Sequence, residues 1–248
     1  TGIRISPPIR TIDVTANADL PADIKEWQKT KWTAHMKASL PDAGRFLDHP
    51  PPVKGQLALD AKAEGTGATP TSVSGELNGD ALAFQEYKLP KLRTTFGING
   101  KQARLDIPSL ELGTGNTVSL TAALEMNDAM PVNAKWSARI SDAAALFAAT
   151  GLKPPPEAVK GAIETQGTAK FTVKDLTAQD FTKLLAEVNV SSRDLAYGSK
   201  GGVKQIDLKA HVENGKAVLP SCVVQFDAEN RVELRGDMVL QKPFAFTA

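Results

Sequence analysis

The sequence contains one cysteine, Cys222, in 248 residues. No internal disulfide can form, and a cysteine-built zinc cluster is excluded. Aromatic residues make up only 6% of the chain, so any core is thinly filled and leans on Ala, Val, Leu and Ile. Neither sign of charge dominates, with 29 Lys+Arg against 28 Asp+Glu. No basic block stands out, which argues against nucleic acid as a partner. No apolar run reaches the roughly 18 residues that a membrane-spanning helix needs, and no signal-peptide pattern is visible. The chain opens on Thr rather than Met and reads as an excised piece, with any anchor or signal outside it. The histidines His35, His49 and His211 are dispersed and have no metal-ligand spacing. No pair of carboxylates can be nominated for glycan hydrolysis. Gly65-Thr-Gly67 and Gly113-Thr-Gly115 lack the rest of a dinucleotide fingerprint, and Gly198–Gly202 lacks the order of a phosphate loop. These stretches read as turns, and the chain is expected to be neither an enzyme nor a cofactor or metal binder.

What is present is a repeat. Lys135–Gly161, KWSARISDAAALFAATGLKPPPEAVKG, is a longer version of Lys31–Gly55, KWTAHMKASLPDAGRFLDHPPPVKG. Each copy has Lys-Trp, an alternating run, Asp-Ala, a short helical pattern, three prolines and Val-Lys-Gly. A repeat decides the architecture. The division that follows is 1–30 as the end of a preceding unit, 31–134 as one unit and 135–248 as the next, all in one continuous elongated domain. The helices near Asp42–Leu47 and after Ser141 or Asp142 are expected to punctuate this array. Their apolar residues Phe46, Leu146 and Phe147 are expected to cover the apolar face where units meet. Gly151 reads as a helix C′ residue.

Between these markers the pattern is strand after strand. Ile12, Val14, Ala16 and Ala18 alternate with polar neighbours, as do Trp32 to Leu40, Leu57 to Ala63, and Val118 to Met126. Ile206 to Val212 and Val232 with Leu234 follow the same rule. Strands are expected seldom to exceed ten residues. A one-turn helix is predicted over 21–28, a loop over Gly65–Ser72 and a second helical pattern over 176–187. Asn99-Gly100 signals a type I′ hairpin, with Asn214-Gly215 as its counterpart. Cys222 alternates with Val218 and Val224 and reads as a small core residue. The predicted class is mainly β: a long curved antiparallel sheet, with one dry and one wet face, punctuated by short helices.

The functional signal that remains is the apolar face. Its candidate lining is Ile12, Val14, Trp32, Met36, Leu57, Leu59, Val118, Leu120, Leu124, Trp136, Ile140, Ile206, Leu208, Val232 and Leu234. Two such faces could pack together as a sandwich core, giving a structural or adhesive module. One long sheet curled on itself would instead leave a trough for acyl chains, each buried CH₂ contributing about 0.8 kcal/mol.

The strand, the helix SDAAALFAATGL, the proline-containing link and KGAIETQGTAKF together resemble the AsmA-like, TamB-type bacterial envelope proteins. The tails LDIPSLELGTGNTVSLTAALEM and VLPSCVVQFDAENRVELRGDMVL resemble that group's repeat endings. The likeness covers most of the chain from about residue 31. It implies a repeated β-groove, phospholipid acyl chains as ligand, other envelope proteins as partners and no catalytic residues. It also implies a periplasmic location, an inner-membrane anchor outside this sequence, and a role in moving phospholipid to the outer membrane or in outer-membrane biogenesis.

Overall fold

The structure, a computed structural model, describes residues 2–5, 11–41, 53–84, 87–155, 157–198, 201–240 and 245–247. It is mainly β, an open and curved antiparallel sheet with short helices. The strands are β1 (Gly2–Ile5), β2 (Thr11–Asp19), β3 (Lys31–Leu40), β4 (Val53–Thr66), β5 (Thr69–Phe84), β6 (Tyr87–Asn99), β7 (Gln102–Glu111) and β8 (Asn116–Glu125). They continue as β9 (Pro131–Ile140), β10 (Val159–Thr172), β11 (Leu185–Tyr197), β12 (Gly202–Glu213), β13 (Lys216–Gln225), β14 (Arg231–Val239) and β15 (Ala245–Thr247). A 3₁₀ helix spans Ile24–Lys29. The α-helices are α1 (Ala143–Thr150) and α2 (Val173–Thr177).

The chain forms two compact units, Thr1–Pro108 and Ser109–Ala248. In the first, β1 to β7 pair in chain order, each strand antiparallel to the next. In the second, β8 to β15 do the same. The repeat landmark Lys135-Trp136 lies inside β9, so the phase of the repeat and the compact units are offset.

The two copies share backbone detail that sets their strands. Gly55 and Gly161 each sit in a β-bulge at positive φ, 108° and 104°. The partner strand answers with a positive-φ residue, Ala81 at 50° and Asp194 at 52°. A Cβ on Gly55 would lie 2.5 Å from the Ala81 carbonyl oxygen, and one on Gly161 would lie 2.5 Å from that of Asp194. Only glycine fits both the conformation and the space. Trp32 and Trp136 make a second equivalence. Each indole lies against the glycine paired opposite it, Gly65 or Gly167. The ring supplies the packing that glycine lacks. The Trp32 Nε1–H also donates to the Gly67 carbonyl at 3.0 Å.

Several strands run longer than the alternation suggests. β5 has 16 residues and β4 and β10 have 14, because bulges let a strand bend without ending. The expected loop over Gly65–Ser72 is a turn at Gly67-Ala68 between β4 and β5, with Gly67 at φ 57°. The hairpin at Asn99-Gly100 is shifted by one residue. Asn99 pairs with Gln102, leaving Gly100-Lys101 in the loop with positive φ at Gly100 alone. Type I′ needs two such residues. Asn214 and Gly215 supply both, at 53° and 71°, between the paired Glu213 and Lys216.

The helical pattern over 176–187 is also corrected. Helix α2 ends at Thr177, Gln179 turns out at φ 57°, and Leu185 already belongs to β11. The Asp180 carboxylate accepts from the Thr182 N–H at 3.0 Å and fixes this turn. Helix α1 forms as its caps predict. The Asp142 carboxylate accepts from the Ala145 N–H at 2.9 Å, and Gly151 closes the helix at φ 74°. Leu146 and Phe147 are half-buried, and α1 packs on β10. The helix near Asp42–Leu47, with Phe46 and Pro50–Pro52, lies outside the described residues.

Apart from α1 and α2 on β10, the close packing between described elements runs from each strand to its chain neighbour. The sandwich reading required a second sheet on the apolar face, and within each unit the described residues provide none.

Gly161→Ala is expected to lower stability by about 1–3 kcal/mol in urea unfolding, since it strains the bulge and clashes with the Asp194 carbonyl. Gly97→Ala, whose added Cβ would meet nothing nearer than 3.9 Å, is expected to leave the midpoint essentially unchanged.

Candidate apolar ligand face

Residues directly opposite in an antiparallel pair share a face, and alternate residues along a strand share it too. In the first unit this places Ile12, Ala38, Leu59 and Leu77 in one row across the sheet. The next row holds Val14, Met36, Ala61, Gly75 and Phe96, and another holds Leu57 beside Leu40. Trp32 ends the same face over Gly65. In the second unit, Ile140, Ile163, Ser192, Ile206, Val224 and Val232 form a row, next to Val118, Ala138, Thr165, Val190, Leu208, Cys222 and Leu234. Leu120 pairs with Trp136, and Leu124 with Val132.

Every candidate drawn from the sequence therefore lies on a single face of its own unit. None is buried. Val232 and Leu234 are exposed and the others are half-exposed, while Cys222 is the one apolar side chain among the described residues that is buried, at 7%. Several residues of equal standing were not among the candidates: Leu77, Ile163, Phe171, Val188 and Val190. Their signal was the same alternation, continued on strands whose register depends on the bulges.

Between bulkier rows the second unit carries a furrow of small residues. Ala122, Ala134, Ala169 and Ala186 pair in sequence from β8 to β11. Leu124, Val132 and Phe171 flank it on one side, and Leu120, Trp136 and Val188 on the other. At about 4.8 Å between strands, the furrow runs for about 14 Å.

Several polar side chains on this face bond the main chain. Ser192, 4% exposed, donates to the Ala162 carbonyl at 2.8 Å, beside the Gly161 bulge. Thr94 donates to the Asp106 carbonyl at 3.0 Å. Asn116 is fully buried at 0% and uses its whole carboxamide. Its Nδ2 donates to the carbonyls of Leu112 at 3.1 Å and Asp142 at 2.7 Å, and its Oδ1 accepts from the Ser141 and Asp142 N–H groups at 3.0 Å each. It thus binds the β7–β8 turn to the start of α1. No sequence signal marked this role, because an Asn after Gly-Thr-Gly reads simply as a turn residue.

The opposite face is polar. It carries shallow depressions, one of about 360 Å³ lined by Arg139, Glu164, Gln166, Asn189, Asp207 and Lys209 among others. Those charges are exposed, and the Arg139–Glu164 pair at 3.5 Å contributes little. His35 is not merely solvated, as its polar-face position suggests. Its Nε2 lies 2.6 Å from the Asp60 carboxylate, with Lys37 at 3.3 Å. The His35 hydrogen bond, with help from Lys37, holds the Asp60 carboxyl below the usual aspartate range. Among the described residues no cluster of His, Cys, Asp or Glu is arranged to hold a metal, and no helix is long and apolar enough to cross a membrane.

Comparison with protein-family models, with curated proteins and with solved structures gives no match. The likeness to AsmA-like proteins accordingly rests on the sequence patterns quoted above.

Because its pKa is lowered on folding, Asp60 contributes stability that is present above the unfolded aspartate pKa and lost as pH falls through the folded value. An NMR titration should show the Asp60 carboxyl titrating below the ordinary aspartate value, and His35→Ala should move it back toward that value.

Proposed function

We propose that this chain is a non-enzymatic segment of a cell-envelope protein whose apolar face holds phospholipid acyl chains, in outer-membrane lipid transport or biogenesis. One observation carries the reading: within each unit an apolar face several strands wide has no second sheet upon it among the described residues. An acyl chain lying along the alanine furrow would remove its own methylenes and the flanking Leu, Val, Phe and Trp side chains from water. Each CH₂ so buried is worth about 0.8 kcal/mol. A headgroup would remain in water at the rim. Small residues suit this role, because a flat bed between ridges accepts a flexible chain without demanding one shape. The periplasmic setting and an inner-membrane anchor outside this sequence are parts of the same proposal and derive from the resemblance.

The test is binding of a fluorescent fatty acid, together with mass spectrometry of lipid that co-purifies. Ala169→Phe, which fills the furrow without adding charge, is expected to weaken binding about tenfold or more. Leu120→Asp and Leu208→Asp should do likewise with the β-sheet circular dichroism retained. Ser119→Asp, on the polar face, should have little effect. Absence of both co-purified lipid and saturable binding in the unaltered protein would sink the proposal, and loss of the sheet signal in the Asp variants would mark the face as a closed core.

A further inference from the structure

The connection from β2 to β3 bares apolar side chains that the sheet does not use. From Thr15 to Lys29 every residue except Pro21 is exposed. Three of them are large and apolar: Leu20 at 81%, Ile24 at 83% and Trp27 at 49%. Leu20 and Ile24 are the most exposed large apolar side chains among the described residues. Single exposed hydrophobics are ordinary, but three on one projecting tip mark a contact surface. The connection that enters the other Lys-Trp strand, between β8 and β9, also bares apolar side chains, Met126 and Met130 at 38% each.

Local bonds hold the β2–β3 tip in one form. The Asp23 carboxylate accepts from the Lys25 N–H at 2.9 Å and caps the 3₁₀ helix. The Glu26 N–H donates to the Asp23 carbonyl at 3.0 Å, and the Thr30 N–H to the Trp27 carbonyl at 3.0 Å. The helix then rests on the β4–β5 turn. There the Gly67 N–H donates to the Thr30 carbonyl at 2.8 Å, and a Cβ on Gly67 would lie 2.7 Å from the Gln28 carbonyl oxygen. A 3₁₀ helix stacks residues three apart. Glu26 and Lys29 meet in this way at 2.7 Å, and Ile24 and Trp27 have the same spacing, with Leu20 shortly before them. The anchored helix thus presents its apolar side chains outward.

The surroundings of the tip indicate what it meets. From Asp19 to Lys31 the charges are Asp19, Asp23 and Glu26 against Lys25, Lys29 and Lys31. Such a neutral collar selects neither an acidic nor a basic partner, and it matches a zwitterionic headgroup layer. At about 200 Å² per large side chain, the three apolar residues fall short of the roughly 800 Å² per partner that a stable protein interface buries. A bilayer needs no matching pocket. Exposed aliphatics beside a tryptophan, with lysines close by, suit its surface: aliphatic groups among the upper acyl carbons, the indole at headgroup level and the ammonium groups in water.

We propose that the β2–β3 tip is a membrane-surface contact, with Leu20 and Ile24 entering the outer part of a zwitterionic phospholipid leaflet and Trp27 at headgroup level. This goes beyond the acyl-chain reading and does not depend on it, since the tip can seat on a bilayer whether or not the sheet holds lipid.

The experiment floats the whole chain with phosphatidylcholine vesicles. Flotation is expected, and it should persist in about 0.5 M NaCl because the contact is apolar. A chain carrying both Leu20→Asp and Ile24→Asp should bind vesicles at least about tenfold more weakly. It should keep its sheet circular dichroism and its fatty-acid binding, because both side chains are exposed in the free chain. Bromine on the upper acyl carbons should quench tryptophan emission in the unaltered chain and much less in a Trp27→Phe chain. That second reading decides the matter if the Asp variant unfolds. Flotation without fatty-acid binding supports the tip and counts against the acyl-chain reading alone. No flotation, flotation abolished by salt, or equal flotation of the unaltered and Asp chains overturns the proposal. Quenching undiminished in Trp27→Phe also overturns it, since lipid would then lie at Trp32 and Trp136 on the apolar face. Self-association without vesicles that disappears in the Asp chain does so too, because the tip would then meet a second copy.

Discussion

Each unit depends on one constraint: almost all of its order passes through the backbone ladder between strands that are neighbours in sequence. Among the described residues no second sheet covers the apolar face, so hydrophobic burial is partial and Cys222 is the one buried apolar side chain. The ladder must then be kept in register without help from a packed core. The bulges at Gly55 and Gly161 serve that need, because a one-residue slip would move every side chain to the wrong face. Bulges that admit only glycine, opposite partner residues at positive φ, pin β4 on β5 and β10 on β11 against such slips.

Where side chains do contribute, they cover weak points of the backbone. Trp32 and Trp136 lie over the glycines of the next strand. Ser192 answers a carbonyl beside a bulge, and Asn116 gathers the backbone groups of a turn and a helix start. These are polar or aromatic residues acting on main chain, and they leave the aliphatic rows of the face free. That division of labour makes an uncovered apolar face compatible with an ordered sheet.

The face itself was legible in the sequence, since strict alternation survives in β2, β3, β8 and β12 and a period of two has one structural meaning. The helix caps at Asp142 and Gly151 were legible for the same local reason. Other features were hidden by competing local signals. Phe181, Leu184 and Leu185 have helical spacing, yet Gln179 and the Asp180 turn break the chain before them and Leu185 joins a ladder. The Gly65–Ser72 stretch has loop composition, but cross-strand pairing overrides it on both sides of Gly67-Ala68. The Asn116 clasp joins groups 26 residues apart, a distance at which composition and periodicity say nothing.

The order of pairing also governs how such a chain reaches its structure. In each unit a strand's partners are the segments just before and just after it, so few contacts wait for a distant part of the chain. Contact order is therefore low for a β protein, and the loop-closure entropy that slows most sheets is small at each step. Hairpins can add one after another as the chain emerges, and the sheet can come apart from an end by the same increments, in the manner of a one-dimensional repeat array.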